Sequence, residues 1–172
     1  MKSLTILASL LVLVCSGILA AGPATVDASQ SAVISSPTGS ESRSLIQFDL
    51  SSFQNKSIEY AASDLEFTPP QDSCERYQVL IVPVASSWNE NAGWSTGWSE
   101  SGGDYSEEEG LVATVARKRG YKTRVLLTEF AKQWATGVRN NYGFMVLCLD
   151  PASGRAELAS GVSHQLEVRT SN

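Results

Sequence analysis

The sequence predicts an all-β protein: an antiparallel β-sandwich of jelly-roll type with one short helix, following an N-terminal signal peptide. Three observations carry that expectation. Short apolar runs with two-residue periodicity recur along the chain, eight or nine in number. Turn residues separate them at close spacing. Only one stretch, near residue 130, has a helical period.

The first twenty-odd residues stand apart. Lys2 supplies an early positive charge, the uncharged run LTILASLLVLVCSGILA follows, and Ala20-Ala21 offer small residues for cleavage. This is the order of a secretory signal. A retained anchor is the competing reading, since the run is barely long enough to span a bilayer. Val14 before Cys15 argues against lipidation. Residues 1–21 are therefore assigned to the signal peptide, 22–42 to a Ser/Ala/Pro-rich entry segment with one strand near 32–34, and 43–172 to the β-sandwich domain.

The elements follow in order. Residues 43–50 (RSLIQFDL) put Ile46, Phe48 and Leu50 on one side of a strand. Leu65 and Phe67 repeat the pattern before Pro69-Pro70 stops it. Residues 76–84 (RYQVLIVPV) form a long apolar run, with Pro83 expected at an edge or bulge. Residues 86–110 are rich in Gly, Ser, Glu and Trp and read as a long loop tethered by its tryptophans. The runs at 111–117 and 122–126 flank Gly120-Tyr121 as a hairpin. Thr128 is placed as helix N-cap and Gly137 as the stop, with Phe130, Ala131, Trp134 and Ala135 on one face. Asn140-Asn141-Tyr142-Gly143 turns into a strand at 144–149, and shorter strands follow near 156–159 and 165–169.

Composition narrows the function. The whole chain of 172 residues carries 13 Lys+Arg against 18 Asp+Glu, a net charge of −5; loss of Lys2 would take it to −6. A net-acidic chain is a poor nucleic-acid binder. After cleavage no apolar run is long enough for a membrane span, so the expected place is outside the cell: secreted, at the cell surface, or in an extracellular matrix. Cys74 and Cys148 would survive cleavage and form a candidate disulfide in an oxidising compartment, against the alternative of two buried thiols.

Side chains suited to ligand contact fall into two groups. Arg117, Lys118, Arg119, Lys122 and Arg124 concentrate positive charge around the hairpin turn. Such a set suits the carboxylates of an acidic polysaccharide; the competing reading is a solvated tip balanced by the acidic loop. Trp98 and Tyr105, set among small polar residues, are candidates to stack on sugar rings, whereas Trp134 reads as core. Gly102-Gly103-Asp104 and neighbouring glutamates allow a weak calcium reading, but the spacing matches no known ligand loop, so no cofactor is expected. His164 is the only histidine, with no nucleophile elbow, phosphate loop or zinc motif beside it. An enzyme is not expected. Asn55-Lys56-Ser57 is a glycosylation sequon.

Taken in order, RSLIQFDLSS (43–52), IEYAASDLEF (58–67), VLIVPVASSWNE (79–90), Gly93-Trp94, LTEFAKQWATGVRNNYGFMVL (127–147) and SGVSHQLEVR (160–169) resemble the DNRLRE domain family, also classed as carbohydrate-binding module family ninety-six. The resemblance implies a jelly-roll fold and non-catalytic carbohydrate binding, with Trp88 and Trp94 at positions that look structural. The chain departs from the pattern in its short opening, which holds only Asp27, and before the helix, where Leu126-Leu127-Thr128 lacks the family's Asp. The function expected is that of a secreted carbohydrate-binding module, with acidic polysaccharide as ligand. The alternative is a structural or adhesive surface protein that self-associates.

Overall fold

A computed structural model describes residues 22–70, 74–150 and 155–171. The signal-peptide assignment at 1–21 lies outside the described residues. In chain order the elements are β1 (Ala24–Ser35), β2 (Ser42–Phe48), β3 (Ile58–Glu66), β4 (Arg76–Pro83), β5 (Leu111–Ala116), β6 (Lys122–Leu126), the helix α1 (Thr128–Ala135), β7 (Phe144–Cys148), β8 (Arg155–Ala156) and β9 (Gln165–Thr170). Single 3-10 turns lie at Ser51–Phe53, Glu107–Glu109 and Arg117–Arg119.

The eight longer strands form a closed antiparallel barrel in the order β1-β9-β3-β6-β5-β4-β7-β2, and β2 returns to β1. The short β8 adds a parallel rung pair to β2. This corrects the jelly-roll sandwich expected from the sequence. The cause is β1. Its first residues, Ala24–Asp27, pair with β9, and Ala28–Ser35 pair with β2. A register shift between Ala28 and Gln30 accompanies the hand-over, the kind of irregularity that bends a strand enough to join two sheets into a ring. Residues 22–42, read as a loose entry segment, thus hold the twelve-residue strand that closes the barrel. Its covered positions are Ala24, Val26, Ala28, Gln30, Ala32 and Ile34, and the three small alanines and the glutamine leave the two-residue periodicity little hydrophobic contrast. The other closure, β5 to β6, is thin: one rung, Ala116↔Lys122.

Two apolar clusters use opposite faces of the same strands. Ile46 and Phe48 of β2, Val79 and Ile81 of β4, and Phe144 and Val146 of β7 point into the barrel, where Leu65, Phe67, Leu166 and Val168 meet them. Phe130 and Trp134 of α1 join this core, their rings stacked 5.9 Å apart. The alternate residues Leu45, Leu80, Val82, Met145 and Leu147, with Ile34, form a second cluster. Trp88, Trp94, Trp98 and Tyr105 of the long loop and Tyr142 pack on it. β4 and β7 are thus covered on both faces, which is why they read as unbroken apolar runs rather than alternating ones.

Local details differ from expectation in three places. Thr128 is the first helical residue and does not cap; its hydroxyl is held between the backbone N–H and carbonyl of Ala61, at 3.0 and 3.3 Å. Pro83 lies on an inner strand rather than an edge, yet it sits where no ladder donor is needed, as expected: it ends β4 beyond the last β5 rung at Ile81↔Leu111. Cys74 and Cys148 are thiols rather than a bridge. Cys74 Sγ donates to the Arg76 carbonyl at 2.9 Å and Cys148 Sγ to that of Asp150 at 3.5 Å.

Candidate functional site

A polar cleft of about 620 Å³ opens where the long loop folds over the second apolar cluster; its lining includes Arg43, Ser86, Ser99, Glu100, Asp104 and Tyr105. Arg43, on β2, anchors it. The guanidinium lies 4.7 Å from the Trp94 ring centre and 5.3 Å from that of Tyr105. Its Nη1 donates to the Gly102 carbonyl at 2.7 Å and to the Tyr105 hydroxyl at 3.2 Å. Its Nε and Nη2 donate to Glu41 at 2.9 and 2.6 Å. With its side chain only 11% exposed, the arginine is a tie between loop and barrel, satisfied at every face. The Tyr105 hydroxyl, accepting from Arg43, keeps its own proton to donate.

The loop can approach so closely because Gly102 and Gly103 are glycines. Both have left-handed φ, +95° and +105°, and a Cβ on Gly103 would stand 2.2 Å from Met145 Cε. Asp104 then fixes the rim. It accepts from the backbone N–H of Ser99 (2.9 and 3.0 Å) and Glu100 (3.1 Å) and from the Ser86 hydroxyl (2.9 Å). These bonds, the Ser99 N–H foremost, hold its carboxyl below the usual aspartate range. At neutral pH Asp104 is therefore an ionised acceptor, not a proton donor. Glu100 and Glu107 stand exposed on the same rim.

The sequence-predicted residues do not gather into one site. Tyr105 lines the cleft. Trp98 is half-buried beside it, its indole donating to the Gly93 carbonyl at 2.8 Å, as part of the loop's own packing. The basic set lies elsewhere, around β6 and the turn before it. There Arg117 pairs with Glu75 (3.6 Å) and Lys122 with Glu66 (2.7 Å). Arg124 pairs with Asp64 (2.6 Å) and with Glu167 and donates to the Tyr60 hydroxyl. The Tyr60 and Glu167 bonds push its pKa up, and Arg169 and Arg124 push that of Glu167 down. Arg169 also lies 5.0 Å from the Tyr60 ring centre. Of the five basic residues, Lys118 and Arg119 are the two that pair with no carboxylate among the described residues.

Arg43 and Ser86 carry no signal of a binding role in the sequence, and Asp104 enters there only through the weak calcium reading. The one available signal was Gly102-Gly103-Asp104, where the tight turn presents the carboxylate to N–H and O–H donors instead of a cation. Among the described residues no group of three or more His, Cys, Asp or Glu is placed to hold a metal ion, and no helix is long and apolar enough to cross a membrane. No family model matches the chain, and no curated protein matches it.

Proposed function

We propose that this protein is a non-catalytic carbohydrate-binding module, secreted or displayed at the cell surface, and that the Arg43–Asp104–Tyr105 cleft is its glycan-binding face. The observation that carries the reading is the preformed rim: ionised and hydroxyl acceptors held rigidly on a barrel wall, next to a half-exposed tyrosine ring with a free phenolic proton. Sugar hydroxyls need fixed donors and acceptors of this kind, and rigidity lowers the entropic cost of binding. The ion pairs around Arg117, Lys122 and Arg124 weigh against an acidic ligand, and the carboxylates of the cleft favour neutral glycan.

Affinity electrophoresis on neutral and uronic-acid polysaccharides tests the reading. Retardation by a neutral polymer, weakened in Glu100→Ala/Glu107→Ala, supports it. Retardation only by acidic polymers, lost in Lys118→Ala/Arg119→Ala, would return the site to the basic turn. Folded protein that no polymer retards removes the function.

A second reading, structural or adhesive self-association, is favoured by the β5 edge. Beyond Ala116↔Lys122 no rung joins β5 to β6. The strand LVATVA carries no charge or proline to discourage pairing. Val112 and Leu126 stand 58% and 59% exposed on the two strands. Light scattering across a concentration series separates the readings, since only this one requires oligomers.

A further inference from the structure

Opposite charges frame β5. The turn before it is Glu107–Glu109, the turn after it is Arg117–Arg119, and the strand between them, LVATVA, is uncharged. Acids and bases thus stand at equal sequence distances on either side of Ala113. Both turns are exposed. Glu109 pairs with Arg139 and Arg117 with Glu75, but Glu107, Glu108, Lys118 and Arg119 make no ion pair among the described residues.

The backbone of β5 is engaged on one side only. Successive strand residues aim their N–H and carbonyl groups to opposite sides. The Arg117 N–H donates to the Glu75 carbonyl, toward β4, and the Ala116 carbonyl accepts from the Tyr121 N–H, toward β6. By alternation Leu111, Ala113 and Val115 serve β4, while Val112 and Thr114 aim at β6. There β6 does not meet them. Its rung to β5 is Ala116↔Lys122, and from Thr123 to Leu126 its rungs are with β3. The seam leaves the inward-facing Leu111 and Ala113 only half-buried and Val112 58% exposed.

We propose that a second copy of this chain occupies the seam, with β5 pairing antiparallel to β5 of the other copy about a two-fold axis at Ala113. The proposal rests on the self-association reading and supplies its partner, its register and its dependence on charge. In this register Val112 of each copy stands opposite Thr114 of the other. Both aim backbone groups into the seam, so each such pair exchanges two hydrogen bonds. The same axis brings Glu107, Glu108 and Glu109 of one copy to Arg119, Lys118 and Arg117 of the other, at both ends of the ribbon. A slip of one residue would reverse the faces of one strand, and a slip of two would offset acids from bases. The charged ends therefore select a copy of this strand, in this register, as the partner.

Sedimentation equilibrium of the folded protein across a concentration series tests this. Association should stop at the dimer, and its dissociation constant should rise about tenfold or more between about 0.05 and about 0.5 M NaCl. Thr114→Pro removes a seam N–H without touching a β4 bond, a position where a sheet tolerates proline, and should abolish the dimer. Two variants at exposed charges make the test independent of that proline. Glu107→Lys/Glu108→Lys and Lys118→Glu/Arg119→Glu should each be monomeric alone and dimerise when mixed, because only the mixed pair matches acids to bases at both ends. Species larger than a dimer, a dimer that salt or Thr114→Pro leaves intact, or charge variants that dimerise alone or stay apart when mixed would overturn this pairing while leaving self-association to another surface. Wild-type protein that is monomeric at every concentration and salt removes the self-association reading and this pairing together.

Discussion

Gly143 is the position where one added methyl group should cost most. It has φ +76°, and a Cβ there would lie 2.1 Å from the Ile46 carbonyl oxygen, 2.8 Å from Gln47 Cα and 2.9 Å from Ile46 carbon. All three atoms are backbone and cannot rotate aside. Gly120 offers the control: its φ is +66°, yet nothing stands within 4 Å of an added Cβ. Gly120→Ala therefore bears only the left-handed conformational penalty, partly offset by a less flexible unfolded chain, about 1 kcal/mol net. Gly143→Ala bears that and must also push β2 from β7 at the rung Ile46↔Phe144. It must strain as well the bonds from Gly143 N–H to Asn141 and from Val84 N–H to the Gly143 carbonyl. Overpacking against unyielding atoms adds about 1–3 kcal/mol or more. The total of about 2–4 kcal/mol corresponds to a melting temperature lower by about 4–16 °C for a domain of this size. Urea and thermal unfolding of both variants make the comparison. If Gly143→Ala unfolds as late as Gly120→Ala, the close approach of β2 and the 140–143 turn is wrong.

Two further perturbations probe the core and the loop. His164 is 5% exposed, neither ring nitrogen makes a hydrogen bond of good geometry, and burial pushes its pKa below the histidine value of 6.5, against the weaker opposite pull of the nearby Asp64 and Ala159 backbone and the Glu66 carboxylate. Above that value both folded and unfolded states are neutral there; below it the unfolded chain takes a proton that the buried ring resists. Stability should thus fall as the pH drops below about 6.5, and His164→Phe should flatten that part of the urea-unfolding profile. Arg43→Ala removes the tie between loop and barrel and should cost about 2 kcal/mol and admit protease within residues 86–106, while Arg43→Lys restores little, lacking the planar fork that serves Glu41, Gly102 and Tyr105 at once. Intact-loop proteolysis rates of the two variants decide this; equal protection in Arg43→Ala would refute the tie.

Amino-acid order alone determined most of the local structure. The period-two run at 43–50, the continuous apolar run at 76–84 and the hairpin flank at 122–126 placed β2, β4 and β6 within a residue or two, and the spacing of Phe130, Ala131, Trp134 and Ala135 located α1 and its buried face. Those signals are legible because each element buries a continuous stripe of large apolar side chains. Tertiary structure alone decided the closure and the sites. β1 covers alanine at three of its six inner positions and glutamine at a fourth, so only the stretch near 32–34 reads as a strand and its role as shared strand between β9 and β2 leaves little hydrophobic signature in the sequence. The basic residues around β6 look like one patch on paper, yet folding brings Glu66, Asp64 and Glu167 from β3 and β9 against Lys122 and Arg124 and consumes their charge. Arg43 meets Gly102 and Tyr105 across about sixty residues of chain, and no local pattern encodes a contact whose partners are chosen by the packing of a loop on a sheet.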